Sequence, residues 1–151
     1  MQFLPFLGKQ LKDNDVIAVL EDMGMEVLYD FDRLHEGQPD KYWAASKAAG
    51  FQFGFDSVQT LNVIFLHIVP THGFAAISRQ DCDIPLFATA SETEIFGEKQ
   101  HLQVAKGSAD FLGIARDWVR LGFARHSIHY EFHGPILAMV TITQNGEHQA
   151  I

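Results

Sequence analysis

The chain has 151 residues, 47% of them apolar and 20% charged, which is typical of one compact domain with one hydrophobic core and excludes a disordered or membrane-spanning chain. Its single cysteine, Cys82, excludes an internal disulfide, so we expect a cytoplasmic protein. A net charge of −8 disfavours nucleic acid and anionic membranes as partners. The apolar residues 1–9 contain Pro5 and follow no basic segment, so we interpret them as mature protein.

The negative charge is concentrated near the N-terminus. Residues 13–40 contain nine carboxylates against Arg33 alone, which accounts for the whole net charge because the rest of the chain balances. Such a segment is either a solvated surface that keeps the protein soluble or an acidic face that meets a basic partner. A complementary charged surface speeds association, whereas clustered like charge costs self-repulsion in the free protein.

The first predicted elements are a helix and a strand. Residues 13–24 are typical of an amphipathic helix, with Asp13 or Asp15 as the N-cap and Gly24 as the left-handed closing residue. The apolar stripe of this helix consists of Val16, Val19, Leu20 and Met23. Residues 25–31 alternate as a strand does, and Gly37 to Pro39 then interrupt the chain.

Strand patterns dominate from residue 42 onwards. Phe51, Phe53 and Phe55 alternate with small or polar residues, and residues 61–69 are apolar on both faces, which predicts a central strand. A loop follows over residues 70–85. The Ser91-Glu-Thr-Glu94 pattern is typical of a capping box and predicts a short helix.

The C-terminal third is predicted to form more strands. We expect a polar surface excursion over 98–110, strands over 117–123, 125–133 and 136–143, and a polar tail that frays from Gln144. The order of these helices and strands along the chain predicts a single α+β domain over 1–151, with an antiparallel sheet packed against an N-terminal helix and one short helix. The absence of βαβ alternation excludes a Rossmann fold and its nucleotide site.

Eight histidines make metal binding the first chemistry to test. On a strand, His129, Glu131 and His133 share one face, but His129 and His133 stand roughly 13 Å apart, too far to ligate one ion. Only His129 and Glu131 could share a metal, and completing the site would need His67 or His72. We therefore predict no metal and no cofactor.

Other catalytic signatures are also weak. Two carboxylates flank Cys82 and oppose its thiolate form. The chain has no Gly-x-Ser-x-Gly elbow, and Gly8-Lys9 lacks the remaining residues of a P-loop. Pairs such as Asp30 with Asp32 have the same-face spacing of an acid/base pair, but their polar surroundings favour solvation. We predict that the protein is not an enzyme.

Several motifs read together resemble a family of small bacterial proteins that give immunity to polymorphic or contact-delivered toxins. They are Tyr42, Ala49-Gly50-Phe51-x-Phe53-x-Phe55-Asp56, Leu61-x-x-Ile64-Phe65-Leu66-His67, Pro85-Leu86, a short helix ending at Gly97, Trp118, His129-x-x-Phe132 and Val140-Thr141-Ile142. The polar insertion Glu98 to Asp110 departs from that pattern. The resemblance implies an inhibitor that binds its cognate toxin and brings no catalytic residue.

The charge pattern and the resemblance lead to one hypothesis: an immunity protein that occludes a basic, nuclease-type toxin, as a monomer or a homodimer. The candidate contacts are Asp15, Asp22, Tyr29, Asp30, Phe31, Asp32 and Glu36. The loop 69–85 is a second candidate for the toxin-binding surface. The alternatives are a small metal- or ligand-binding enzyme with a pocket lined by His67, His129 and Glu131, and an oligomeric scaffold that pairs through exposed edge strands.

Overall fold

A computed structural model describes residues 1–145, and these residues form one eight-stranded antiparallel sheet with two α-helices. The helices are α1 (Asn14–Asp22) and α2 (Ala90–Lys99), and a 3-10 turn spans Leu4–Phe6. The strands are β1 (Val27–Asp30), β2 (Lys41–Ser46), β3 (Phe51–Phe55), β4 (Leu61–His67), β5 (Gln103–Phe111), β6 (Ile114–Gly122), β7 (His126–His133) and β8 (Ile136–Gln144). The predicted antiparallel sheet with two helices is confirmed. The tail predicted to fray from Gln144 is ordered at its start, because Gln144 ends β8 opposite His126 and the Asn145 N–H donates to the Arg125 carbonyl (2.9 Å). The rest of the predicted tail, residues 146–151, lies outside the described residues.

The sheet consists of two meanders joined side by side. Its order is β1-β2-β3-β4-β8-β7-β6-β5, and each neighbouring pair is antiparallel. Strands β1 to β4 follow one another in the sheet as they do along the chain, and so do β5 to β8, as is usual for antiparallel neighbours. The central position predicted for residues 61–69 is confirmed, since β4 pairs with both β3 and β8.

One face of the sheet carries the hydrophobic core. The phenylalanines of β3 are at most 1% exposed, and the inward residues of β7 are at most 2% exposed. The other inward-facing residues of the sheet are Ile64, Leu66, Val119, Leu121, Val140 and Ile142. Residues outside the sheet complete the core, namely Phe3, Val16, Leu20, Ile77 and Ile84. The hydroxyl of the buried Tyr130 donates to the Pro85 carbonyl (2.8 Å), and burial raises the pKa of that phenol.

Helix α1 agrees with its predicted pattern except at its cap and at Met23, which is exposed although it was assigned to the apolar stripe. Val16 and Leu20 are buried, and Gly24 closes the helix with φ +60°. Asp13 is the N-cap residue, but its carboxylate accepts from the Gln10 backbone N–H (2.8 Å) instead of capping α1. The side-chain cap predicted at Asp13 or Asp15 is therefore wrong, since Asp15 already lies inside α1.

The helix-starting motif of α2 lies two residues before the predicted one. The Thr89 hydroxyl accepts from the Glu92 N–H (3.1 Å), and the Glu92 carboxylate accepts from the Ala88 N–H (3.1 Å). Thr89 is thus the N-cap that we predicted at Ser91, and the Glu92 carboxylate binds the amide one residue before that cap.

The polar excursion predicted over 98–110 is wrong, because residues 103–111 form β5. This strand pairs with β6 along its whole length, from Gln103 opposite Gly122 to Phe111 opposite Ile114. As the last strand of the sheet, β5 buries little of either face, so its sequence lacks the apolar alternation that reveals other strands.

Gly50 provides a test of how closely the β4–α2 loop packs on the sheet. Its φ is +81°, and a Cβ there would collide with the Ala75 carbonyl oxygen and lie 2.8 Å from the Ile77 nitrogen. Gly113 has a similar φ of +79° with nothing within 4 Å of the same position. We expect Gly113→Ala to cost about 1 kcal/mol and Gly50→Ala on the order of 3 kcal/mol. Urea denaturation of both variants checks this, and equal losses would contradict the close packing.

Candidate functional site

Five of the seven predicted contact residues come together at one edge of the sheet. Tyr29 and Asp30 belong to β1, and Phe31, Asp32 and Glu36 belong to the loop that follows. We call residues 27–40 the acidic edge. A depression of about 580 Å³ lies on it, lined by Asp30, Phe31, Asp32, Arg33, Leu34, Glu36, Gln38, Pro39 and Lys41.

Asp32 organises the loop of the acidic edge. One of its carboxylate oxygens accepts from the Glu36 N–H (3.0 Å), and the other accepts from Gly37 (2.8 Å) and Gln38 (3.2 Å). Asp side chains commonly satisfy loop amides in this way. Asp32 therefore holds the loop in shape as well as adding negative charge.

Removing this carboxylate should loosen the loop. We expect Asp32→Ala to speed hydrogen exchange at the amides of Glu36, Gly37 and Gln38, because each loses its acceptor. Glu36→Ala is the matched control, since it removes a carboxylate from the same loop without removing an acceptor. Exchange measured by NMR would contradict this role if the two variants behaved alike.

Tyr29 is held on both sides. Its ring stacks on Tyr42 of the neighbouring strand (centroids 4.9 Å apart) and on Phe31 (5.6 Å), and the Arg33 guanidinium lies 5.2 Å from the Phe31 ring centre. The Tyr29 hydroxyl donates to the Asp40 carboxylate (2.6 Å). This hydrogen bond favours the protonated phenol and raises the pKa of Tyr29 to about 12.

The Tyr29 to Asp40 contact predicts a pH titration. Asp40→Asn should lower the pKa of Tyr29 towards its ordinary value of 10.0, because the carboxylate that opposes phenolate formation is gone. Carbon NMR of the Tyr29 ring across alkaline pH measures the shift. Asp30→Asn, which lies beside Tyr29 in β1 but does not contact its hydroxyl, should leave that pKa unchanged. Coinciding curves for Asp40→Asn and the parent protein would contradict the assignment.

The acidic edge exposes large apolar side chains between its carboxylates. The exposed fractions are 63% for Leu28, 48% for Tyr29, 46% for Phe31 and 76% for Leu34. Leu28 and Leu34 were absent from the sequence prediction. Their signal was present as apolar residues within a charged stretch.

Asp15 and Asp22 lie apart from the acidic edge, on α1. Asp15 forms an ion pair with Lys9, whose hydrogen bond holds the pKa of Asp15 below its ordinary value. Asp22 borders a separate depression beside Met1 and Phe6. The structure thus unites the predicted contacts from Tyr29 to Glu36 and places the other two elsewhere.

The histidines of the sheet do not converge on one point. Ile128, Tyr130 and Phe132 are buried, so His129 and Glu131 lie on the opposite face of β7, as predicted. His67 shares that face but stands opposite Met139, which in turn stands opposite Glu131. Two strand spacings, roughly 10 Å, therefore separate His67 from Glu131. Within residues 1–145, no three His, Cys, Asp or Glu side chains are placed to hold one metal ion.

The histidines instead stack on neighbouring rings. His67 lies 4.1 Å from the Phe74 ring centre, and His129 lies 5.3 Å from that of Trp118. Burial lowers the pKa of both imidazoles, aided at His67 by the neighbouring His72. Because burial lowers their pKa, both imidazole rings are favoured in the neutral form at neutral pH.

A groove on the same face of the sheet was missed by sequence reasoning. It lies over β5 to β8 and includes Arg120, Arg125, Ser127 and Thr141. The alternation of Ser127 with Ile128 and of Thr141 with Ile142 was visible in the sequence. Only the strand register shows that these polar residues are neighbours.

Comparison of the chain with protein-family models, curated proteins and solved structures found no significant match. Over residues 1–145, no helix has both the length and the apolar character needed to cross a bilayer.

Proposed function

We propose that this protein is an inhibitor that binds a basic protein, of the kind that gives bacteria immunity to a nuclease-type toxin, and that the acidic edge is its binding surface. The observation that carries the proposal is the interleaving of exposed apolar side chains with carboxylates along one strand and its loop. Buried apolar or aromatic anchors within a polar rim are the usual composition of a protein interface. The resemblance in sequence supports the same class of function.

The charges of the acidic edge favour a basic partner. Residues 27–40 carry four carboxylates and one base. Within the described chain, Asp30 and Glu36 have no hydrogen-bond or ion-pair partner for their carboxylates. Free carboxylates at a sheet edge attract a surface that evolved to hold phosphates, and this attraction increases the association rate. Inhibition then follows from covering the toxin's substrate-binding surface.

The apolar residues supply the affinity in this proposal. Leu34 makes little contact within the free protein, since it is 76% exposed, and Phe31 and Tyr29 form a preformed aromatic stack beside it. A preformed stack loses little conformational entropy on binding. Strand β1 also presents its outer backbone groups to solvent, because it ends the sheet.

A charge-reversal pair tests the electrostatic part of the proposal. The probe is the toxin encoded beside this chain's gene, purified as an inactive variant. We expect Asp30→Lys with Glu36→Lys to weaken binding on the order of 100-fold at low salt, because like charges then face each other. We also expect the affinity of this variant to depend less steeply on salt. Titration calorimetry at several salt concentrations measures both effects.

The matched control reverses two exposed carboxylates far from the acidic edge, Glu98→Lys with Asp110→Lys. It makes the same change in net charge and should leave the affinity within about threefold. Equal weakening by the two double variants, or the absence of binding by the parent protein, would refute the proposed surface.

Leu34→Ala tests the apolar part independently. Because Leu34 is exposed, its truncation should change the free energy of unfolding by less than about 0.5 kcal/mol. Its effect on the complex should be faster dissociation with little change in association, since anchors act mainly on lifetime. Surface plasmon resonance separates the two rates, and an unchanged dissociation rate would remove Leu34 from the interface.

A further inference from the structure

The face of the sheet opposite the core contains a groove over β5 to β8, which we call the open-face groove. Two adjacent cross-strand rows form its floor: Ala105, Arg120, His129 and Thr141 in one, and Gln103, Gly122, Ser127 and Thr143 in the other. Most of these side chains are short, and the turn from Phe123 to Arg125 lines one end of the groove. The resulting depression of about 1110 Å³ is large enough for a small organic molecule.

The open-face groove is positively charged although the protein is acidic. The residues that line it include Arg120 and Arg125 and no aspartate or glutamate. Neither guanidinium has a carboxylate of the described chain within 4.0 Å. Because no carboxylate of residues 1–145 pairs with them, both arginines are available to bind an external anion. The planar fork of arginine matches the oxygens of a phosphate or carboxylate.

Trp118 orders the side chains at the side of the groove. The Arg120 guanidinium lies 5.9 Å from one of its ring centres, and His129 stacks on it with an angle of 21° between the planes. A cation placed over an indole loses less freedom on binding a ligand than a free arginine does. Burial lowers the pKa of His129, so this ring adds a neutral hydrogen-bonding group while the arginines supply the charge.

We propose that the open-face groove binds a small organic anion through its phosphate or carboxylate group. Arg120 and Arg125 hold the oxygens, and the hydroxyls of Ser127 and Thr141 on the floor donate further hydrogen bonds. The groove covers β5 to β8, whereas the acidic edge begins at β1, and β2, β3 and β4 lie between. The anion site is therefore independent of toxin binding, and either can fail without the other.

Titration with two simple anions tests the site. Pyrophosphate and citrate are added separately to the full chain, and amide NMR spectra are recorded at constant ionic strength. We expect saturable shifts confined to residues 120–129 and 141–143. Shifts with pyrophosphate alone identify a phosphate site, and shifts with citrate alone identify a carboxylate site. If neither anion produces saturable shifts in these residues, the proposal is overturned.

Arginine variants test the mechanism of binding. We expect Arg120→Gln and Arg125→Gln each to lower the affinity for the anion by at least about tenfold, because each removes a pair of charge-assisted hydrogen bonds. Arg79→Gln removes the same charge from an exposed position in the β4–α2 loop and should leave the affinity unchanged. Equal weakening by all three variants would show that net charge alone attracts the anion and would overturn the site.

Two further variants keep the test decisive. Arg120→Lys retains the charge without the planar fork, so it should recover only part of the affinity lost in Arg120→Gln. If Arg120→Gln fails to fold because it loses its contact with Trp118, Arg125→Gln carries the test alone, since Arg125 lies in an exposed turn. Parent-like affinity in a folded Arg125→Gln would remove Arg125 from the site and overturn the two-arginine mechanism.

Discussion

The pairing of β4 with β8 is the constraint on which the rest of the molecule depends. Every other neighbouring pair in the sheet joins strands that follow one another along the chain, whereas this pair joins the two meanders. Its inward residues, with Ile64 opposite Ile142 and Leu66 opposite Val140, are fully buried. Ordering so long an intervening segment costs conformational entropy, and the buried apolar surface at this seam offsets that cost.

The same pairing separates the two surfaces to which we assign function. Because β4 and β8 meet in the middle, β1 and β5 become the outer strands. The acidic edge then belongs to the N-terminal meander and the open-face groove to the C-terminal one. A single sheet thus presents carboxylates at one side and, on the other half of its open face, two arginines that have no carboxylate partner among residues 1–145. The net charge of −8 does not reveal this division.

The acidic edge also has features that disfavour pairing of β1 with a second copy of itself. An edge strand with free backbone groups and apolar side chains is a hazard for aggregation. Here β1 is only four residues long, and the carboxylates of Asp30, Asp32 and Glu36 would bring more negative charge close together if two copies of this edge met. Like charges opposite one another are destabilising across strands. The same carboxylates would attract a basic surface. Their negative charge therefore opposes self-association and favours the proposed partner.

Local patterns in the sequence were enough for much of the fold. Helix α1, the alternating phenylalanines of β3 and the apolar strand β4 were predicted, because each depends on residues close together in the chain. Strand β5 was missed, since an edge strand that buries little has no apolar pattern to show. The α2 capping pair was displaced by two residues, because Ser91 and Glu94 have the same spacing as Thr89 and Glu92.

For function, the sequence by itself determined the location of the negative charge and the residue types of the acidic edge. Only the tertiary structure decided that Tyr29 to Glu36 form one surface, that Asp15 is neutralised by Lys9, and that Leu34 is exposed. The groove with Arg120 and Arg125 also required the structure. Its residues come from four strands, and cross-strand register depends on long-range packing that no local pattern encodes.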